Sequence, residues 1–151
     1  MPHLNPERVL ERFSTFLQED VRAEIDDEFI DGQVGSMSST LSYLASELRL
    51  KREMTIRQRQ ALVDGLETVT RNCDDLAVSE AAERGRERIA EAQTGDTTEL
   101  ESVLIETCND VLETINEELA GSNARDARAP LYEFLRVRVD SQLAMLGRDS
   151  D

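Results

Sequence analysis

Five basic side chains, Arg49, Lys51, Arg52, Arg57 and Arg59, crowd into residues 49–59 of an otherwise acidic chain. Guanidinium forks match the paired oxygens of phosphates and carboxylates. The cluster is therefore expected to dock an acidic partner surface or a phosphorylated cofactor, or else to pair with the chain's own carboxylates. Arg125, Arg128, Arg136 and Arg138 form a second basic group. His3 is the sole histidine, and without a second ligand or a nucleophile beside it neither a metal nor an acid–base role is expected. Asp26, Asp27, Glu28 and Asp31 offer hard oxygen ligands, but not at the spacing of an EF-hand. The chain has no Glu-x-x-His pair, no glycine-rich phosphate loop, and no serine or cysteine that a histidine could activate. The expectation is a protein without catalytic residues of its own, without cofactor and without metal.

The charge balance narrows the partners. Acidic residues number 32 against 17 basic ones, for a formal charge of −15 and a pI near 4.4. Lys51 is the only lysine, and aromatic residues make up 4% of the chain. Dense carboxylate with little lysine is the surface expected in the cytoplasm of a salt-accumulating halophile, where molar salt shortens the Debye length to about 3 Å. A negative surface disfavours nucleic acid, whose phosphates need cations. No apolar run reaches the 18 or so residues of a membrane span, and Met1-Pro2-His3-Leu4 is neither a basic nor an apolar secretion leader. Cys73 and Cys108 each fall on an apolar helical stripe, so buried free thiols are expected rather than a disulfide.

Apolar residues recur at helical period throughout, and 39% hydrophobic content argues against disorder. Asn5 before Pro6 reads as an N-cap with proline in the first turn. Val9, Leu10, Phe13, Phe16, Leu17 and Val21 then form a stripe that ends near Ile25. After a break at Asp31-Gly32, a second helix is expected to run to Arg52. Its seam of Val34, Met37, Leu41, Leu44 and Leu48, with Ser38, Ser39, Ser42, Ala45 and Ser46 as small shoulders, suits the centre of a bundle. Thr55-Ile56-Arg57-Gln58 has the form of a capping box and predicts a third helix from Ile56, with Leu62, Leu66, Val69, Cys73 and Leu76 as its seam. Residues 79–91 are charged all round and are expected to extend into solvent or form a short separate helix. Asp96 with Glu99, or else Thr97, caps a fourth helix carrying Leu100, Leu104, Cys108, Val111, Ile115 and Leu119, and Gly121 sits where a terminating glycine belongs. Residues 122–129 read as loop. Pro130 then opens a last helix whose Leu131, Leu135, Val139, Leu143 and Leu146 face inward. The whole predicts a single all-α domain over residues 1–151, an antiparallel bundle of about five helices, with 79–95 the least defined part.

Val9-Leu10, Phe13 and Phe16-Leu17-Gln18-Glu19-Asp20-Val21, with the seam ending Ala45-Ser46-Glu47-Leu48-Arg49-Leu50, resemble a family of small helical proteins of unknown function. The closing run Leu131-Tyr132-Glu133-Phe134-Leu135-Arg136-Val137-Arg138-Val139-Asp140-Ser141-Gln142-Leu143 fits the same family, whose members are encoded beside aminoglycoside-phosphotransferase-like kinases and acyl-CoA dehydrogenases. The chain departs from it at Gln33-Val34-Gly35-Ser36-Met37-Ser38 and across 79–95. The resemblance implies an association with an acyl-CoA dehydrogenase or a kinase-like partner; with no catalytic motif in the chain, the expectation is a non-catalytic accessory protein, with homo-oligomers also open to it. The alternatives are a carrier of an acyl-CoA-like small molecule and a subunit that completes a partner's active site. A flat apolar patch would favour the interaction role, and an apolar-walled cleft beside residues 49–59 the carrier.

Overall fold

The computed structural model describes residues 4–92 and 95–147. His3 and the acidic tail beyond Gly147 lie outside them, as do Gln93 and Thr94 within the stretch 79–95. The protein is all-α, with five α-helices and no strand among the described residues: α1 (Pro6–Phe16), α2 (Glu28–Asn72), α3 (Leu76–Glu91), α4 (Thr97–Glu118) and α5 (Gly121–Gly147). A π turn (Leu17–Val21) and a 3₁₀ turn (Arg22–Glu24) follow α1. No described helix is long and apolar enough to cross a membrane. The chain divides into two compact units, Met1–Glu53 and Met54–Asp151.

Local chemistry sets the helix starts. Asn5 Oδ1 accepts from the Glu7 amide at 3.0 Å, with Pro6 in the first turn, as the sequence predicts. Asp96 caps α4 in the same way, accepting from the Glu99 amide at 3.0 Å. Two further caps, Asp27 (from the Ile30 amide) and Asp75 (from the Val78 amide), open α2 and α3. The predicted break at Asp31-Gly32 does not occur, because Asp27 has already started the helix.

The expected boundary at Thr55 is also absent. Residues 50–60 contain no glycine or proline, only residues a helix accommodates, so α2 continues from Glu28 to Asn72. Thr55 and Gln58, taken as a capping box, lie buried inside it.

The second unit is a four-helix bundle of residues 54–72 of α2 with α3, α4 and α5. Its core is Leu62, Leu66 and Val69 from α2, Leu100, Leu104, Cys108, Val111 and Ile115 from α4, and Leu131 and Phe134 from α5. The charged stretch 79–91 is the third wall of this core rather than a solvent extension. Val78, Ala81, Ala82, Gly85 and Ile89 are buried at helical spacing. Small residues at that seam bring α3 close to α4: a Cβ on Gly85 would lie 2.7 Å from Thr107 Cγ2. The charges of α3 point outward, where Arg88 pairs with Glu106 and, at 3.3 Å, with Asp110.

The polar run 122–129, expected as loop, is helical and buries Ala124 and Ala127. Gly121, at φ +60°, makes the left-handed bend that starts α5, and α4 ends before it at Glu118. Pro130 therefore lies inside α5, and its carbonyl oxygen sits against Gly65 of α2, 2.6 Å from where a Cβ would be. Val139, Leu143 and Leu146, expected to face inward, are exposed, whereas Phe134 is buried. Both cysteines are free, Cys108 buried and Cys73 half-buried against the core. Burial pushes the Cys108 thiol up to about 11.

Candidate functional site

In the first unit α1 and residues 28–53 of α2 form an antiparallel pair, since Ser14 meets Ser38, Glu11 meets Arg49 and Glu7 meets Arg52. The contact is small and polar. Each serine hydroxyl reaches the other's carbonyl oxygen, at 2.8 and 2.9 Å, with the two hydroxyl oxygens 3.0 Å apart. Ser38 and Ala45 are buried, the role their small size predicts. Arg22 locks the turn between the helices: its Nε and Nη2 each donate to one oxygen of Asp31 at 2.8 Å, and Nη1 donates to Gln18 at 3.1 Å. Gly35 leaves room for this guanidinium, which would lie 3.1 Å from a Cβ there. The hydrogen bonds and charge of Arg22 hold the Asp31 carboxyl below its ordinary range, and those of Asp31 raise Arg22. Asp31 is thus a structural ion-pair partner and Asp27 a helix cap. No group of three or more candidate metal ligands occurs among the described residues.

The basic cluster is divided between the two units, with Arg49, Lys51 and Arg52 in the first and Arg57 and Arg59 in the second. Arg49 pairs with Glu11, and Arg52 pairs at 3.3 Å with the nearly buried Glu7, so both hold α1 to α2. Lys51, half-buried, also has a partner. Arg57 and Arg59 belong to the second unit, Arg57 exposed and Arg59 half-buried. Two positions apart on a helix, they diverge by about 200°. Of the second basic group, Arg128 donates to Asn116 at 2.8 Å, Arg136 pairs with Glu133 at 2.8 Å, and Arg138 pairs with Glu101 at 3.1 Å. Arg125 is exposed. Proximity in sequence does not bring these side chains to one face.

What the first unit does present is apolar. Phe13 and Phe16 of α1 and Ile30, Met37, Leu44 and Leu48 of α2 are all exposed, Phe13 and Met37 at 56%. The seam read as a bundle's centre is instead a surface: Val34 and Leu41 are half-buried, and Leu44 is 43% exposed. Ser38 and Ala45 are the buried residues of this stretch of α2, with Val34 and Leu41 half-buried to one side of them and Leu44 and Leu48 exposed.

Comparison with known proteins adds no relative. No family model matches the chain, and neither a curated protein nor a solved structure matches it.

The second unit has two concavities. One, of about 440 Å³, lies where the end of α2 meets the α4–α5 turn. It is lined by Asp74, Asp75 and Asp126, with Asn72, Asn123 and Cys73. The other, of about 560 Å³, is a groove between α3 and α4 flanked by Arg84, Arg88, Asp110, Glu113 and Glu117. The Thr107 hydroxyl at its floor is buried and has no hydrogen-bond partner. The first holds the Cys73 thiol among aspartates and the second holds Thr107 and Thr114 among carboxylates, and neither lining includes a histidine.

Proposed function

We propose that this chain is a non-catalytic helical accessory protein that works by protein–protein contact through the apolar face of α1 and α2. The observation that carries the reading is the exposure of Phe13, Phe16, Ile30, Met37, Leu44 and Leu48 on one two-helix unit. Exposed apolar side chains scattered singly are ordinary, but a contiguous patch of several hundred Å² favours a binding surface. The resemblance supports an acyl-CoA dehydrogenase or a phosphotransferase-like kinase as the enzyme served, and the acid-rich, lysine-poor composition supports the cytoplasm of a salt-accumulating cell.

The carrier alternative is less well supported. An acyl-CoA needs cations for its phosphates and an apolar slot for its chain. The 440 Å³ cavity is instead ringed by three aspartates and the C-terminal end of α2, both of which repel anions.

The test is affinity capture in molar KCl with the wild-type chain and with Met37→Glu/Leu44→Glu. The reading expects an enzyme of one of those two types to be retained by the wild type and lost with the variant. Equal retention by both chains removes the apolar face from the function.

A further inference from the structure

The phase of the two helices in the first unit is fixed by the Ser14–Ser38 contact. At about 100° per residue, Phe13 lies about 100° round α1 from Ser14, and Phe16 about 60° further in the same sense. On α2, Met37, Leu44, Leu48 and Ile30 lie about 80–120° from Ser38, again in that sense. Equal rotations in the same sense bring residues of two antiparallel helices to the same side of the pair. The exposed side chains therefore form one two-helix face.

Three properties of that face identify what covers it. Along α2 the seam Ile30, Val34, Met37, Leu41, Leu44, Leu48 steps by four and three residues alternately, the repeat by which helices pack on helices in left-handed bundles. Residues 32–46 contain no charged side chain, in a chain that is 32% charged and carries −15 overall. Such a face offers nothing to a partner chosen by charge complementarity. It is the place where two equally acidic surfaces can meet without setting carboxylate against carboxylate. Its six large apolar side chains are 41–56% exposed, and a two-fold contact covers each of them twice, which is how a patch of this kind approaches the roughly 1,200 Å² of a stable interface.

We infer that the occupant is a second copy of this chain, its α1–α2 pair laid on this one across a two-fold axis to make an intermolecular four-helix bundle. A two-fold contact uses the same patch on both copies, and a pair of helices on a pair of helices closes the apolar layer that one pair leaves open. The inference rests on the interaction reading above and refines it: the face itself is taken by a second copy, and an enzyme is held through the dimer that the face makes.

The test is the mass of the full chain in molar KCl by sedimentation equilibrium over a range of concentrations. The wild type should sediment at twice its 17.0 kDa. Met37→Glu/Leu44→Glu should raise the dimer dissociation constant by more than about a hundredfold, because four carboxylates would be buried without partners. Helical circular dichroism should persist, since neither residue belongs to the core of the second unit. Should that variant lose helicity, Met37→Gln/Leu44→Gln carries the same test without added charge. A wild type of 17.0 kDa at every concentration, or a dimer indifferent to both variants, overturns the inference. In the first case, a captured enzyme that the Glu variant still loses leaves the interaction reading standing with another occupant. Capture indifferent to the variant removes both.

Discussion

The closest approach between α3 and α4 can be tested by filling it. Gly85→Ala places a methyl 2.7 Å from Thr107 Cγ2, with Leu66 Cδ1 at 3.4 Å and Val111 Cγ2 at 3.8 Å around it. Replacing glycine by alanine inside a helix gains about 1 kcal/mol of helix propensity. Ordinary carbon contacts lie at about 3.5–4.0 Å, so the threonine methyl must retreat by about 1 Å into a packed layer. Overpacking of that kind costs about 1–3 kcal/mol, leaving a net loss of about 0–2 kcal/mol. Thr107→Ser alone removes one buried methyl, at about 1 kcal/mol. In the double variant the alanine methyl takes the space the threonine methyl vacated. The combined loss should then fall short of the sum by about 1–2 kcal/mol, the coupling expected of side chains in contact. Urea unfolding at fixed KCl, with unchanged slope, measures each corner of the cycle. Gly65→Ala is the contrasting case, because the atom it meets, at 2.6 Å, is the Pro130 carbonyl oxygen. No side-chain truncation relieves that contact, so it should stay destabilising in the Thr107→Ser background. Additivity of Gly85→Ala and Thr107→Ser within about 0.5 kcal/mol would refute the packing argument.

Other outcomes follow from charge and burial. With its thiol raised to about 11, Cys108 holds about one thiolate in a thousand at pH 8, so iodoacetamide should label the half-buried Cys73 and spare Cys108 until the chain unfolds. Urea midpoints should climb as KCl rises to molar concentration, because 32 acidic side chains against 17 basic ones repel less when screened; a flat series would leave the composition without that explanation. Asp31 is depressed mainly by its hydrogen bonds from Arg22, so its contribution is present above the unfolded carboxylate pKa of about 3.9 and is lost as pH falls through the lower folded value. Asp31→Asn should remove that part of the acid transition, read by circular dichroism between neutral pH and strong acid.

The sequence yields most where one residue decides an outcome. Asn5-Pro6 and Asp96 cap the helices they are read to cap, and the large apolar seams of residues 62–69 and 100–115 are core. Reading fails where size or angle decides. The middle of the α3 seam is Ala81, Ala82 and Gly85, so a search for large apolar residues finds only Val78 and Ile89 at its ends, among arginines and glutamates. Residues 122–129 have the polarity of a loop, yet Ala124 and Ala127 suffice to pack their helix. Thr55 to Gln58 matches a capping box, but a cap pattern cannot stop a helix that nothing else breaks. The basic cluster at 49–59 is dense only along the chain; two of its arginines hold α1, and Arg57 and Arg59 point apart. The seam of residues 34–48 is legible as a stripe. Its exposure is not, because that depends on serines, rather than leucines, meeting at the α1 contact.

The π turn at Leu17–Val21 also determines how the first unit can change length. Its hydrogen bond runs from the Arg22 amide to the Leu17 carbonyl, spanning one residue more than an α-helical turn. That turn is a place where the chain carries a spare residue. Deleting one residue from 18–20 converts the bulge to an ordinary turn and returns Arg22 to Asp31 and Ser14 to Ser38 in their present phase. The same deletion between Pro6 and Ser14 rotates everything before it by about 100° and carries Glu7 away from Arg52. Within the helical run from Pro6 to Val21, tolerance of a single-residue deletion is therefore confined to this one turn.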